Sequence, residues 1–297
     1  MDNEYLEIAN KIDKVERFVE KKKWPCLCPN CQKAAINSHL LQRNGILDNV
    51  AENGHLYEAR IKDVYRRIND DEIVEIKKVG IGQAISYPLF CSEHDSALFK
   101  PIEGKLIDFD DYHSQLLFSY RSLCSEIRKK EFNIERYNGT LIEDNVKFEL
   151  LLGEKLGLED LRYYKGVFET EIVKPQNKFT FLHLTYPFIP VFASGTSTYF
   201  MFDDTFVNFT EGIQNDQIID CFFINIIPQK NSLEIIIGYN NEHTNDCLDK
   251  FTQSWKNLST NQLLNKIVDL FNYSIESWGM SPSFYKRLLE KKLIERV

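Results

Sequence analysis

No apolar run in this sequence approaches the ~20 residues that a membrane helix needs. The longest apolar stretches, such as Cys221 to Ile227 around Asn225, are far shorter. The N-terminus reads MDNEYLEIANKID. It is acidic and lacks the apolar core of a secretory signal. A soluble, cytoplasmic protein is therefore expected. Excess positive charge is also missing: 36 Lys+Arg stand against 44 Asp+Glu, a net charge of −8. A globally basic nucleic-acid coat is thereby excluded, though a local basic patch is not. No His-Glu-x-x-His, Gly-x-Ser-x-Gly or glycine-rich dinucleotide fingerprint occurs. This argues against zinc proteases, α/β-hydrolases and nucleotide-fold oxidoreductases. Gly153-x-x-x-Gly157 has no Gly-Lys-Ser/Thr after it, so it is not a phosphate loop. Internal repeats and low-complexity segments are absent, and no Gly/Ser-rich linker divides the chain.

The chain does carry an aromatic-rich apolar complement, with 43% hydrophobic and 13% aromatic residues over 297 positions. That composition specifies a folded globular protein of about two domains. Charge is spread unevenly. Residues 11–43 hold eight Lys+Arg against three Asp+Glu, a local excess of +5 that includes Lys21, Lys22, Lys23, Lys33 and Arg43. Clustered positive charge can attract phosphates even on an acidic protein, and it can also be a solvated helix face.

Apolar periodicity predicts an amphipathic helix over 3–23, with Tyr5, Ile8, Ile12, Val15 and Val19 at spacings of three and four. Trp24-Pro25 stops it. A short helix is expected over 45–52, and strands over Leu56–Ile61 and Ile73–Val79. A change of character follows Pro101-Ile102-Glu103-Gly104. Helical patterns run over 109–131 and 142–165, the second interrupted by Gly153 and Gly157. Strands are predicted over Phe179–Phe188, Pro190–Phe202, Ile218–Ile227 and Leu233–Tyr239, the last two forming a hairpin. Helices return over 243–256 and 260–277, the latter opened by a capping box at Ser259-Thr260-Asn261-Gln262. Ser281-Pro282 starts a last helix. The expected fold class is α+β: an N-terminal zinc module over 1–104 packed on an α+β domain over 105–297, with an antiparallel sheet and C-terminal helices.

Seven cysteines is an odd number, and three of them lie within six positions. In a reducing compartment this spacing favours a metal over disulfides. Cys28-x-x-Cys31 and Cys91-x-x-His94 each let one tight turn present two ligands, as tetrahedral Zn²⁺ requires. Cys26 can substitute for Cys28, but Cys28-Pro29-Asn30-Cys31 is the better knuckle. Cys124, Cys221 and Cys247 sit in apolar patterns and read as core thiols. A site closed by four protein ligands cannot itself activate water. Chemistry would then fall to neighbours such as His39, eight residues after Cys31, and Asp95, directly after His94.

The order of these elements resembles the treble-clef zinc fold of HNH (ββα-metal) endonucleases. Ser38-His39-Leu40-Leu41-Gln42 is similar to that family's acidic-His-apolar-apolar-Pro strand. Cys91-Ser92-Glu93-His94-Asp95 through Phe99, with Ile102-Glu103, is similar to its second knuckle and helix. The resemblance covers residues 24–104 and implies a nuclease. His39 would be its general base and Asp95 would hold a catalytic Mg²⁺ or Mn²⁺. The sequence departs from the family at Ser38, where an acidic residue is usual, at Gln42, where proline is usual, and in the long insert 43–90. The pattern also resembles bacterial proteins linked to mobile elements or phage defence, which implies a role in bacterial defence. Against these roles, His39 can be a packed structural ring or a zinc ligand in place of His94, and Asp95 can be a helix N-cap.

Two functions are compatible with these residues. One is a divalent-metal-dependent nuclease whose basic segment meets DNA or RNA. The other is a non-catalytic nucleic-acid- or protein-binding module with a purely structural zinc. Elsewhere, His183 falls inside a strand and reads as a satisfied core residue. Tyr186, Phe188, Phe192, Tyr199 and Phe202 read as core aromatics, and Asp203-Asp204 as a turn.

Overall fold

The computed structural model describes residues 3–67, 73–104, 106–140, 144–198 and 218–290. Tyr199, Phe202 and the Asp203-Asp204 pair lie outside them.

The N-terminal amphipathic pattern forms helix α1 (Asn3–Lys21). Val19 and Ala9 are buried on it, while Ile8 faces solvent. It packs on its own chain, against α2 (Val64–Arg67) and α4 (Tyr112–Gly139). A short ladder follows, β1 (Ile36–His39) paired antiparallel with β4 (Ser86–Phe90). The intervening chain supplies a 3-10 turn at Leu47–Asn49 where a short helix is expected, then β2 (His55–Ile61) and β3 (Val74–Gly80). After β4 comes α3 (Ser92–Phe99). Helix α5 (Asp144–Val173) runs unbroken through Gly153, Gly157 and Gly166 and packs along α4. At Gly157 an added Cβ would stand 2.7 Å from Lys130 Cε, the far end of a flexible side chain that can swing aside.

Strands β5 (Phe179–Pro187), β6 (Val191–Ser197), β7 (Phe222–Pro228) and β8 (Ser232–Asn240) form as their apolar runs predict, and β7–β8 is the expected hairpin. Helices α6 (Asp246–Gln253), α7 (Thr260–Tyr273) and α8 (Pro282–Glu290) close the chain, with the capping box at Ser259 and Gln262 in place. A strand that periodicity does not reveal, β9 (Trp278–Met280), sits before α8.

All the strand pairings among the described residues are antiparallel, and one sheet takes the order β3-β2-β9-β6-β7-β8-β5. Strands from the first 104 residues are thus joined to the later ones through β9, and the boundary at 104 does not divide the sheet. Gly279 makes this junction possible. A Cβ there would lie 2.3 Å from the Tyr57 carbonyl oxygen and 2.4 Å from the Phe192 ring. The inner strands β7 and β8 are buried on both faces, which explains why they read as nearly continuous apolar runs rather than as alternations. Phe192, Phe223 and Ile236 face a core shared with α4, α5 and the N-terminal elements. Val191, Phe222, Ile224 and Ile235 face a second core with Trp255, Leu263 and Ile267.

Candidate metal centre and its polar neighbourhood

The knuckle begins where Trp24-Pro25 ends α1. A bridge between Pro25 and Ala34 closes the turn, and the Cys26 N–H donates to the Lys33 carbonyl at 2.9 Å. Asn30 takes a left-handed conformation (φ 59°), which asparagine tolerates better than most residues. The Leu27 N–H donates to the Leu89 carbonyl at 2.9 Å, which ties the turn to the end of β4. Cys91 follows directly as the N-cap of α3, and His94 lies in the first turn of that helix.

These segments bring Cys26, Cys31, Cys91 and His94 together, with all four ligand atoms within 4.8 Å of one another. His94 Nδ1 is 3.4 Å from both Cys26 Sγ and Cys91 Sγ, and Cys31 Sγ is 4.0 Å from Cys91 Sγ. A tetrahedron with Zn–S of about 2.3 Å and Zn–N of about 2.0–2.1 Å has S···S near 3.8 Å and S···N near 3.6 Å. The cluster therefore has both the donor chemistry and the spacing to hold a zinc ion. The Cys91 thiol is lowered by the backbone N–H of His94, whereas burial pushes Cys26 up to about 11. An ion at the centre would displace the thiol protons.

The ligand set corrects one residue of the sequence reading. Cys26 joins the cluster, and Cys28 does not. The Cys28 N–H instead points at Cys26 Sγ, 3.4 Å away, while its half-buried thiol faces the Glu169 and Lys165 charges of α5. Cys26 and Cys28 are two positions apart, so an extended chain presents both on one side. Only the fold of the turn separates them.

His39 and Asp95 flank this centre. His39 ends β1 opposite Ser86, and its Nε2 is buried with no hydrogen-bond partner among the described residues. Burial lowers its pKa first. The Arg43 and Arg121 charges lower it further, and the backbone of Ile81 and Gly82 opposes them. Asp95 is not the N-cap of α3, a position taken by Cys91. It lies inside the helix, its N–H donating to the Cys91 carbonyl at 2.9 Å, and its Oδ1 is buried with no hydrogen-bond partner among the described residues.

Arg121 is the residue that sequence reading missed. It is buried in α4, with its guanidinium carbon 3.8 Å from the Phe99 ring centroid. Its Nη2 donates to Glu103 Oε1 at 2.7 Å and lies 3.7 Å from Asp95 Oδ1. Gln42 Nε2 donates to the Glu103 carbonyl at 2.5 Å. A signal was available: Leu117, Arg121, Cys124 and Arg128 are spaced by four, three and four on the apolar stripe of α4. An arginine on such a stripe has to find buried partners. Arg128 does so at the knuckle, donating to the Pro25 carbonyl at 2.6 Å. On the far side of His39, Ile85 has a positive φ of 31°, a strained conformation for a β-branched residue. Its N–H donates to the buried Glu58 carboxylate at 2.9 Å, and its carbonyl accepts from Leu40 N at 3.0 Å.

The basic candidates do not form one free patch. Lys33 pairs with Glu93 at 2.6 Å. Lys22 pairs with Glu135 and lies 4.5 Å from the Trp24 ring centroid. Lys21, Lys23 and Arg43 are exposed, and Arg43 Nε donates to Asn44 Oδ1 at 3.2 Å. Beside the Arg121 network an open groove of about 470 Å³ is lined by Gln42, Asn44, Gly104, Phe109 and Gln229, among others. No described helix is long and apolar enough to cross a membrane. Compared with protein-family models, curated proteins and solved structures, the chain matches none.

Proposed function

We propose that this protein is a zinc-stapled nuclease of the ββα-metal type, with β1, β4 and α3 as a treble clef around the Cys26/Cys31/Cys91/His94 centre. One observation carries the reading. Among the described residues, His39 Nε2, Gln42 Oε1, Asp95 Oδ1 and Arg121 Nε are all buried without a hydrogen-bond partner, on residues linked through Glu103 or through the Arg121 charge. Buried polar atoms are rarely left unpaired, and a group of them points to a ligand, an ion or water in that place. His39, held neutral by burial and by two arginine charges, can accept a proton from water at Nε2. A Mg²⁺ or Mn²⁺ ion needs only one or two protein carboxylates when substrate phosphates complete its shell, and Asp95 would supply one. When bound, that ion would offset the negative charge that develops on the phosphate. Arg121 holds Glu103 and Asp95 in place.

The second reading, a binding module with purely structural zinc, is favoured by the same arginine. Arg121 already neutralises part of the charge that a cation would need, and Ser38 supplies no carboxylate. Cleavage of supercoiled plasmid and of single-stranded DNA and RNA, with Mg²⁺ or Mn²⁺, separates the two. The nuclease reading expects cleavage by the wild type and its loss in His39→Ala and Asp95→Asn with zinc retained. Cleavage that survives both substitutions, or no cleavage by any form, would leave the binding module.

A further inference from the structure

A second histidine, outside the zinc module, has a charge state imposed by its neighbours. On β5, His183 is nearly covered. Its Nδ1 is 2.8 Å from Asp110 Oδ1, and its Nε2 is 2.8 Å from Glu234 Oε2 on β8. Both partners are carboxylates and only accept hydrogen bonds. A neutral imidazole has one N–H and could satisfy only one of them, leaving a nitrogen lone pair against a carboxylate oxygen. The observed pair of contacts is complete only in the imidazolium form.

Its two anchors are unequal. Glu234 is nearly buried, where it accepts from Thr185 Oγ1 at 2.7 Å and Ser232 Oγ at 2.5 Å and where water cannot take the place of His183, so the single N–H of a neutral ring stays on Glu234. Asp110 is 84% exposed in its side chain, and its carboxylate has no other hydrogen-bond partner among the described residues. No lysine or arginine among the described residues pairs with either carboxylate. Asp110 belongs to the connection from α3 to α4. Its N–H donates to Asp108 Oδ1 at 3.0 Å, Gln115 Nε2 donates to the Phe109 carbonyl at 2.7 Å, and the Phe109 ring lies 5.8 Å from the imidazole. Ile107, Asp108 and Phe109 of this connection form one wall of the 470 Å³ groove, which Gln42 joins to the Arg121 network.

We propose that His183 is a pH-operated clasp. As an imidazolium it ties the 107–110 connection to β5 and β8. As the pH rises through its midpoint it loses a proton, releases Asp110 and loosens the wall of the groove. The two carboxylates raise its pKa against the opposing effect of burial. The sign follows: a raised histidine pKa stabilises the closed form at low pH, and this stabilisation is lost as pH rises through the folded-state value. The inference is independent of the nuclease reading, and its test uses no activity.

The measurement is an NMR titration of the His183 ring in the full chain, paired with amide hydrogen exchange over 106–111 at each pH, corrected for intrinsic rates. The expected midpoint lies above the ~6.5 of an unstructured histidine. Protection over 106–111 should fall through that midpoint, by about tenfold for each unit between the clasped and released pKa values. Asp110→Asn, an exposed change that should not disturb folding, should lower the midpoint and flatten the step. His183→Gln, which can donate to only one carboxylate, should abolish the step. A midpoint at or below ~6.5 would overturn the proposal. So would protection that stays level while His183 titrates, or a step unchanged in Asp110→Asn.

Discussion

The Cys/His knuckle with its flanking ladder, and the inner strands of the large sheet, are stabilised by different chemistry. Around β1, β4 and α3 the turns are short and the chain crowds polar groups together: three thiols, two imidazoles, Asp95, Glu103 and Arg121. Around β7 and β8 the side chains are mostly branched or aromatic and apolar, and both faces are covered. The first region needs specific partners for each buried polar atom, because an unpaired one costs roughly 1–3 kcal/mol. The second gains mainly from area, at roughly 25 cal/mol per Å² of apolar surface removed from water. The first region shares the apolar core under α4 through Leu40, Leu41, Leu89, Phe90 and Phe99 and adds a crowd of ligating and ionic groups, whereas the second rests mainly on burial.

Breaking the metal centre should have the largest effect. Structural zinc is worth about 10–16 kcal/mol in small zinc-dependent modules. Cys31→Ser or Cys91→Ser should remove zinc, as read by metal analysis, and should expose residues 24–40 to protease while the β6–β8 amides keep their exchange protection. Cys28→Ser should retain the metal. Loss of zinc in Cys28→Ser with retention in Cys26→Ser would make Cys28, not Cys26, the ligand.

Arg121→Leu comes next. Removing one partner of a buried ionic network costs about 3–5 kcal/mol, and a denaturant midpoint measures it. Zinc stoichiometry should survive, since Arg121 touches no ligand of the centre. In the sheet, Ile224→Ala removes a fully buried side chain and should cost about 2–5 kcal/mol, again with zinc unchanged. At the periphery, Ser259→Ala breaks a capping box on α7 and should cost about 1 kcal/mol.

The smallest effect sharpens the comparison through pH. His39 has a lowered pKa and must be protonated against burial, so its contribution is full above ~6.5 and is lost as pH falls below that value. His183 has a raised pKa, and its contribution is full below ~6.5 and lost as pH rises through the folded value. His39→Gln and His183→Gln should therefore change the slope of stability against pH in opposite directions. Urea midpoints from pH 5 to pH 8 read this directly. Slopes that change in the same direction would show that one of the two environments is misassigned.

Local patterning was legible where a single element carries its own signal. The α1 stripe, the Trp24-Pro25 stop, the β7–β8 hairpin, the Ser259 capping box and Pro282 at the start of α8 all follow from spacing and from single-residue conformational preferences. β9 was not legible, because three residues with Gly279 at the centre carry no period. They form a strand only because β2 and β6 offer edges on either side. His183 was legible as a partnered histidine, but not its two carboxylates, which lie 73 and 51 residues away.

By itself the sequence determined that thiols and an imidazole would meet. Cys31, Cys91 and His94 are spaced so that tight turns present them, and turn geometry is local. It also determined which runs would be buried, since apolar period and content belong to each segment. Tertiary structure alone decided that Cys26 rather than Cys28 completes the cluster, because the two share a face until the Leu27–Leu89 hydrogen bond orients the turn. It alone placed Arg121 between Asp95 and Glu103, and joined the N-terminal strands to the later ones through Gly279. Those outcomes depend on contacts between distant segments, and no local preference along the chain encodes which distant partner a side chain will meet.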